Sequence, residues 1–255
     1  MNLETIKQQL KQVRLSHASR EIDEVIEKHK KAVNLAWVTE LLEREIDARK
    51  ESMIRVRIRK AGFPEITSLE NFDWEFNPEI DQAKIRELAE LKFIEDNQIA
   101  LFLGGTGAGK THIALAIGAI AAQRGYSVFW TSAKKLSNQI LLHKRRNTLD
   151  IFFKKILSAK LWIIDDWGVI SMEREVAEEV FDLLDRRKYQ SAMILTSNRD
   201  VGEWGEVFPD PVIANATVDR IFDRAKVVLF KGPSYRLKGR IITREREFDS
   251  QPMKS

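Results

Sequence analysis

Five short and almost continuously apolar runs, separated by stretches with helical character, constrain the fold of this chain more than any other feature. Strands buried on both faces of a sheet have this composition, and strands that alternate with helices form parallel sheets covered by helices. The sequence therefore predicts an α/β fold built on a five-stranded parallel sheet between helices, with ligands bound at the carboxyl ends of the strands. The runs are "IALFL" (99–103), "SVFWT" (127–131), "LWIID" (161–165), "AMILTS" (192–197) and "KVVLF" (226–230).

A glycine-rich segment, "GGTGAGKT", directly follows the first apolar run and precedes an alanine-rich helical stretch. It matches the phosphate-binding pattern G-x-x-x-x-G-K-[ST] in full, in the strand, loop and helix context that gives the pattern its meaning. Glycines let successive backbone N–H groups surround phosphate oxygens at a helix N-terminus. We therefore expect ATP and Mg²⁺ as cofactors, with Lys110 on the β- and γ-phosphates and the Thr111 hydroxyl on the metal. The residues of this P-loop are Gly104, Gly105, Thr106, Gly107, Ala108, Gly109, Lys110 and Thr111.

Two adjacent carboxylates, Asp165 and Asp166, end the third apolar run in "LWIIDDWG". Mg²⁺ prefers oxygen ligands, so one carboxylate at a strand end beside the P-loop suffices to hold it. Asp165 is the expected metal ligand, because it directly follows four apolar strand residues. Asp166 is expected to face the γ-phosphate side, where it would orient and deprotonate the attacking water. Capping of the next helix is the alternative explanation for such a pair.

Further polar residues follow the last two apolar runs or lie close to them. Asn198 ends "ILTSN" with a neutral amide that can hydrogen-bond the γ-phosphate or the attacking water. Three arginines, Arg220, Arg224 and Arg236, lie in "NATVDRIFDRAKVVLFKGPSYR". An arginine supplied by a neighbouring subunit can stabilise the charge of a phosphoryl-transfer transition state. Structural salt bridges are the alternative role for any one of them.

The ordered set of these motifs resembles the AAA+ ATPases of the IstB type, the transposition helpers of insertion sequences. The motifs are the P-loop, the paired aspartates, "TSN", "FPDPVIANA" and "DRIFDRA" followed by "GPSYR". The bacterial helicase loader DnaC is a near relative of this type. The resemblance covers essentially the whole chain, including the "FPEITSLENFDWEF" segment before the first run.

The resemblance implies an AAA+ core that assembles as a homo-oligomer on DNA with ATP, bends or marks the target, and stimulates a separate transposase. By family position, Arg220 would be the finger acting in trans, with Arg224 as the second candidate, and Arg236 would be a nucleotide sensor. The chain departs from the wider AAA+ pattern in two ways. It ends soon after the fifth run, which predicts that the C-terminal helical lid is missing, and its second acid is Asp166 where most AAA+ proteins have Glu.

A block of basic residues extends over 131–160, which contains eight Lys and Arg residues and a single acidic residue, Asp150. A solvated helix face is the simpler explanation, but related initiators and loaders carry DNA contacts in this region. Lys and Arg side chains on phosphates give affinity that is largely independent of sequence. A second candidate is the basic stretch at 55–60. The DNA contacts expected from the block are Lys134, Lys135, Lys144, Arg145 and Arg146.

The region before residue 62 is dense in charged residues and helix formers and contains no Gly or Pro. We predict a helical N-terminal domain at 1–62 and an ATPase domain at 63–255. Apolar and basic residues alternate with the period of a strand in "MIRVRIRK" (53–60), but the absence of a turn signal favours a continued helix. Gly62, Pro64 and Pro78 then mark an irregular entry segment.

The composition limits the setting in which the chain works. A formal net charge of +4 with a pI of about 9.2 makes an anionic partner plausible. The chain lacks cysteine, which excludes disulfides and thiolate metal sites. It has no run of the roughly 20 apolar residues that a membrane helix needs, and its start lacks the apolar core of a secretory signal. We therefore expect a cytoplasmic protein that does not bind membranes.

Two other functions share some of these features. A DnaC-like loader of the replicative helicase would differ mainly in what its N-terminal region binds, and the neighbouring genes would distinguish it from a transposition helper. A small-molecule kinase shares the P-loop, but it requires an acceptor pocket and an arginine-bearing lid. The kinase hypothesis also gives no role to Asn198.

Overall fold

The computed structural model describes residues 3–29 and 36–238, and contacts within the chain divide it into two compact units. The first unit ends at Val56 and the second begins at Arg57, so the division falls within one long helix. The domain boundary after residue 62 stays a prediction.

The first unit consists of helices in its described part: α1 (Leu3–Gln12), α2 (Ser16–His29) and most of α3 (Ala36–Ala61). The Arg49 guanidinium donates to the carbonyl oxygen of Val13, which follows α1, at 2.5 Å. The helical N-terminal region is thus confirmed for the described residues, and α3 runs through the alternating stretch 53–60 without a break. A small apolar core holds the unit together and contains Ile6, Leu10, Val13 and Leu42, with Ile22, Val38 and Ile46 packed against it.

The second unit is built on a parallel sheet, which has five strands among residues 57–238. The strand order is β2-β3-β4-β1-β5, so β1 lies between β4 and β5 and β3 lies between β2 and β4. This order brings the carboxyl ends of β1, β3 and β4 next to one another. The predicted five-stranded parallel sheet is confirmed. The strands are β1 (Ile99–Gly104), β2 (Val128–Ser132), β3 (Leu161–Asp165), β4 (Ala192–Ser197) and β5 (Ala225–Phe230).

Helices cover both faces of the sheet because alternate strand residues point to opposite sides. Leu101 packs into the core beneath α7 to α10, whereas its neighbours Ala100 and Phe102 pack into the core beneath α4 to α6. Two 3₁₀ helices, Val201–Val207 and Tyr235–Leu237, complete the described elements. The helices are α4 (Gln82–Ala89), α5 (Lys92–Glu95), α6 (Lys110–Gln123), α7 (Ala133–Arg145), α8 (Leu149–Leu157), α9 (Arg174–Arg187) and α10 (Pro211–Phe222).

A buried arginine, Arg187 at the end of α9, ties the amino-terminal edge of the sheet to its helices. Its side chain is 1% exposed, and its guanidinium donates to the carbonyl oxygens of Ile156 at 2.7 Å, Ala159 at 2.8 Å and Ala192 at 3.0 Å. Burial lowers the pKa of Arg187 to about 9. The three carbonyl groups belong to α8, to the short connection before β3 and to β4, so one side chain joins three segments.

Replacing Arg187 with methionine should lower the free energy of unfolding by about 3 kcal/mol or more, because three carbonyl oxygens each lose a buried, charged donor and only that of Ile156 is known to keep another one, the N–H of Ala159. Arg186→Met is the matched control, since Arg186 is exposed and makes a 3.4 Å surface pair with Asp182 and a distant contact with the Phe153 ring, 5.8 Å from its centre. That change should cost about 1 kcal/mol or less. Denaturant titrations of both variants measure the difference, and equal losses would contradict the bracing role of Arg187.

Two sequence expectations concern features that the chain was predicted to lack. Among residues 3–29 and 36–238, no helix combines the length and apolar character needed to cross a membrane. The predicted absence of a C-terminal lid concerns residues after β5, of which 239–255 lie outside the described residues.

Candidate nucleotide-binding site

The P-loop connects β1 to α6 at the carboxyl edge of the sheet, and α6 begins at Lys110. Two of its glycines have positive φ and no room for a side chain. A Cβ on Gly109, where φ is 100°, would lie 2.4 Å from Cε2 of Phe72, and a Cβ on Gly107, where φ is 78°, would lie 2.0 Å from Oγ of Ser234. Glycine is therefore required at both positions, and the loop exposes its backbone N–H groups at the N-terminus of a 14-residue helix.

Lys110 is folded back onto its own loop. Its Nζ donates to the carbonyl oxygens of Gly104 and Gly105, each at 2.7 Å, and the residue is 6% exposed. Burial lowers the pKa of Lys110, while the nearby carboxylates of Asp166 and Asp165 act in the opposite direction. A buried cation with two carbonyl partners can exchange them for phosphate oxygens at little cost, because both arrangements leave the ammonium group hydrogen-bonded.

Asp165 lies at the end of β3 and accepts two hydroxyl hydrogen bonds on the same oxygen. Thr111 Oγ1 donates to Asp165 Oδ1 at 2.8 Å, and Thr196 Oγ1 donates to it at 2.6 Å. Asp165 is 6% exposed, so the two hydroxyls compensate for its burial. The structure thus brings together Thr111 and Asp165, the two residues predicted from sequence to hold the metal.

Asp166 differs from its neighbour in both backbone and environment. Its φ is 55°, in the left-handed region, and its side chain is exposed at the mouth of the site. Desolvation within the cleft, followed by the Asp165 carboxylate, raises the pKa of Asp166, whereas Lys110 and Arg236 lower it. Because the side chain still contacts solvent, we regard the desolvation as partial. Asp166 combines access to water with a cleft that contains two cationic groups.

A cavity of about 360 Å³ opens over the P-loop, a volume in the range of small-molecule sites. Asn198 reaches this cavity from the end of β4, and its Nδ2 donates to Oγ1 of Thr106 at 3.0 Å. Arg236 enters it from the 3₁₀ turn after β5. The predicted residues that line the cavity are Thr106, Gly107, Ala108, Gly109, Lys110, Thr111, Asp166, Asn198 and Arg236.

The entry segment at 62–81 forms one wall of the cavity, a role that the sequence did not predict for individual residues. Thr67 Oγ1 donates to the carbonyl oxygen of His112 at 2.9 Å, and the His112 ring lies 2.9 Å from the carbonyl oxygen of Ser68 and packs against Phe72. Asn77 is 2% exposed and donates to the carbonyl oxygen of Ala108 at 3.3 Å. These contacts attach the entry segment directly to the P-loop.

The segment after β5 forms a second wall. The backbone N–H of Tyr235 donates to the carbonyl oxygen of Gly107 at 3.0 Å, and the Tyr235 ring contacts Phe76 of the entry segment edge to face. The ammonium group of Lys238 lies 2.7 Å from the carboxylate of Asp73. The segment that precedes β1 in the sequence and the segment that follows β5 therefore meet over the P-loop.

Neither Arg220 nor Arg224 lines this cavity. Arg220, on α10, donates from Nε to Oδ1 of Asp185 at 2.7 Å, and its guanidinium lies 4.3 Å from the centre of the Phe181 ring. Arg224 has a φ of 61°, is exposed, and lies over the ring of Tyr189. Both arginines thus contact α9 or the turn after it and lie apart from the P-loop of their own subunit.

The part of the basic block on α7 and its C-terminal cap is divided mainly between the two ends of that helix, and the other three basic residues of the block lie after it. Lys134 and Lys135 are exposed at its start, and Arg145 and Arg146 are exposed at its end, about 15 Å away by helical rise. Lys144 lies between them and is engaged: its ammonium group is 2.8 Å from the carboxylates of both Glu175 and Glu179, which raise the pKa of Lys144. The predicted DNA contacts of the block therefore form two separate basic pairs, and Lys144 is neutralised by carboxylates of α9.

The chain as a whole matches a known protein family. The family model of the IstB-like ATP binding protein matches residues 8–243. An insertion sequence IS21 protein from Pseudomonas aeruginosa, named as ATP-binding, is 35% identical over 231 residues, which cover 90% of this chain and 87% of that protein.

Solved structures share the fold. The replication initiator DnaA bound to AMPPCP and single-stranded DNA has a TM-score of 0.54 and 25% identity, over 69% of this chain and 53% of that one, so this chain spans about half the length of that DnaA. DnaI has a TM-score of 0.55 and 24% identity, over 73% of this chain and 98% of DnaI. The AAA+ fold is shared, and a match over nearly the whole chain means that this protein belongs to the family of IstB-like ATP-binding proteins of insertion sequences.

Proposed function

We propose that this protein is a Mg²⁺-dependent ATPase that assembles on target DNA with ATP and stimulates a transposase. The observation that carries the proposal is the arrangement of Lys110, Thr111 and Asp166 around one cavity, with the buried Asp165 carboxylate hydrogen-bonded to the Thr111 hydroxyl. The insertion-sequence relatives favour a transposition helper over a loader of the replicative helicase, because the likeness to DnaI is one of fold alone.

ATP binding is assigned to the P-loop and its two walls. The backbone N–H groups before α6 would surround the phosphates, and Lys110 would exchange its two carbonyl partners for phosphate oxygens. The aromatic and polar side chains of the entry segment, including Phe72 and Asn77, line the part of the cavity that is available to the base. Arg236 adds a positive charge on the opposite wall.

The residues present fit a magnesium ion that is bound together with the nucleotide. Thr111 donates its hydroxyl hydrogen to Asp165, which leaves the hydroxyl lone pairs free to ligate a cation. Among the described residues, no cluster of three or more His, Cys, Asp or Glu side chains forms a ready-made metal cage. One hydroxyl and one carboxylate are the protein donors expected for Mg²⁺, which keeps several waters and takes further ligands from the phosphates of the nucleotide. When bound, the ion would neutralise developing charge on the phosphate oxygens.

Hydrolysis is assigned to Asp166 and Asn198. Asp166 is exposed to the water of the cavity, and partial desolvation together with the Asp165 carboxylate raises its pKa, which favours acceptance of a proton, although Lys110 and Arg236 act in the opposite direction. It is proposed to accept the proton of the attacking water, and Asn198 is proposed to hold that water or the γ-phosphate through its amide. The bond from Asn198 to Thr106 already holds this amide over the P-loop.

Arg220 is proposed to complete the site of a neighbouring subunit. Asp185 and Phe181 fix the direction of its guanidinium, and Nη1 also donates to the carbonyl oxygen of Ala216 at 3.3 Å. The remaining N–H groups are available for phosphate oxygens of another subunit. Such a contact is head-to-tail, so the assembly would close into a ring or continue as a filament.

The direct test of this function is ATP hydrolysis by the purified protein with and without DNA and its cognate transposase. We expect DNA to stimulate hydrolysis in the wild type and Lys110→Ala to abolish it with a loss of nucleotide binding. A protein that neither binds ATP nor responds to DNA would contradict the proposal. Phosphorylation of a small acceptor in place of hydrolysis would indicate a kinase.

The exposed basic pairs of α7 provide a separate prediction for DNA binding. Changing Arg145 and Arg146 to Ala should weaken binding on all sequences and reduce the slope of log affinity against log salt by about 2 on duplex DNA, since each lost phosphate contact contributes about 0.9. The pair Lys134 and Lys135 is tested in the same way. Changing Arg86 and Lys92 to Ala removes the same charge from another part of the ATPase core. Slopes that fall equally in all double variants would assign the effect to net charge.

A further inference from the structure

The hydroxyl of Thr196, near the end of β4, joins the two acids at the end of β3, Asp165 and Asp166. We propose that Thr196 is a positioning residue for ATP hydrolysis, one that sets the orientation of both the metal-binding and the base carboxylate. This inference rests on the roles proposed above for Asp165 and Asp166. No sequence motif predicted a role for Thr196, although a polar residue near the end of a fully buried strand is a signal for one.

The hydrogen bonds of Thr196 are divided between the two acids. Its Oγ1 donates to Asp165 Oδ1 at 2.6 Å and accepts from the backbone N–H of Asp166 at 3.0 Å. Its carbonyl oxygen accepts from the backbone N–H of Trp167 at 2.8 Å. Thr196 is fully buried, so its hydroxyl has no exchange with solvent. Three consecutive residues, the last of β3 and the two that follow it, are thus attached to one residue of β4.

The bond to the Asp166 N–H bears on an unusual backbone. Asp166 has a φ of 55°, a conformation that residues with a side chain adopt infrequently and that the surroundings must maintain. Thr196 and the Trp167 N–H bond hold the chain on both sides of that φ angle. The direction in which the Asp166 side chain leaves the backbone, and therefore its reach towards the cavity, depends on this turn.

The bond to Asp165 has a different consequence. Asp165 Oδ1 is shared by Thr111 and Thr196, which fixes the plane of the carboxylate relative to the P-loop. If the Thr196 hydroxyl is removed, Thr111 still donates to Asp165, whereas the backbone N–H of Asp166 loses Thr196 Oγ1 as its acceptor. The expected defect is therefore larger in hydrolysis than in binding of the magnesium nucleotide.

Thr196→Val keeps the shape of the side chain and removes both hydroxyl bonds. We expect the single-turnover rate of ATP hydrolysis with DNA to fall by about 10²-fold, the size of effect that a displacement of about 1 Å produces in an oriented reaction. The affinity for the nucleotide without Mg²⁺ should stay at the wild-type value, and the Mg²⁺ concentration needed for tight binding should rise. Thr196→Ser restores the hydroxyl and should recover most of the rate.

Thr131→Val is the matched control. Thr131 is 1% exposed near the carboxyl end of β2, and its hydroxyl donates to the carbonyl oxygen of Ser132 rather than to either acid. The same chemical change there should leave the rate within about threefold of the wild type, since it moves no reacting group. A wild-type rate in Thr196→Val, a Thr196→Ser protein as slow as Thr196→Val, or an equal loss in Thr131→Val would each overturn the positioning role.

Crystal structures of the wild type and Thr196→Val give a readout that does not depend on activity. We expect Asp166 to leave the left-handed region in the variant, and an Asp166 that keeps a φ near 55° would overturn the proposal. If the wild type hydrolysed no ATP, the proposed ATPase function would fail, and this comparison would still decide whether Thr196 positions Asp166.

Discussion

Arg220→Ala should bind ATP and DNA like the wild type but hydrolyse ATP about 10³- to 10⁵-fold more slowly in the assembled state, the range associated with an arginine supplied in trans. The reason is geometric. Arg220 lies outside the cavity of its own subunit and is held by Asp185 and Phe181 on α9, so its loss leaves the P-loop intact. Hydrolysis and nucleotide binding are measured on the same preparation, at a protein concentration that supports assembly.

A mixing experiment distinguishes a role in trans from a structural one. Arg220→Ala retains an intact P-loop and Lys110→Ala retains an intact finger, so hybrid contacts between them should recover part of the activity that each lacks. Arg224→Ala serves as the comparison, because Arg224 is the second candidate and is exposed over Tyr189. Full activity of Arg220→Ala alone would remove Arg220 from the mechanism, and a loss confined to Arg224→Ala would assign the finger to Arg224.

Asp166→Asn should bind Mg²⁺, ATP and DNA and should hydrolyse ATP about 10²- to 10⁴-fold more slowly, as expected from the loss of a general base. The amide keeps the shape of the side chain and can tolerate the left-handed backbone, because Asn adopts this conformation as readily as Asp. Asp165→Ala should have the opposite pattern, with weaker binding of the magnesium nucleotide, since Asp165 is tied to Thr111.

The variant Asp166→Glu tests the reach of the base. Asp is one methylene shorter than the Glu found in most AAA+ proteins, and the turn at Asp166 sets how close its carboxylate comes to the cavity. Single-turnover hydrolysis with DNA, with and without the transposase, is the measurement for all three variants. If Asp166→Asn were as fast as the wild type, Asp166 would not be the base, and the pair of acids would require another explanation.

The strands were predictable because burial on both faces leaves a continuous apolar run. "LWIID" and "AMILTS" coincide with β3 and β4, β1 and β5 are each one residue longer than the predicted run, and β2 is shifted from its run by one residue. The stretch 53–60 has the alternation of a strand and is nevertheless helical, because helical hydrogen bonds need no partner strand and no Gly or Pro interrupts α3. The order β2-β3-β4-β1-β5 depends on contacts between distant segments and was not predicted.

The candidate site also contains residues that local sequence patterns could predict and residues whose roles depend on distant segments. Local patterns located the P-loop, Asp165 and Asn198, because each ends a strand at the edge where ligands bind. Thr196 and Asn77 were missed, since their roles come from partners about 30 residues away in sequence. The sequence also grouped Lys144 with its exposed neighbours, and only the packing of α7 against α9 pairs it with Glu175 and Glu179.

The ion pair between Arg220 and Asp185 has a consequence for the timing of the proposed assembly. Because Arg220 is already ordered within one subunit, the entropy lost in fixing its side chain belongs to folding and not to the encounter of two subunits. Joining would then be limited by collision in the correct orientation, at a rate that changes little with nucleotide. Departure of subunits would be the step that ATP hydrolysis controls, so the age of the bound nucleotide would determine how long an assembly persists on DNA.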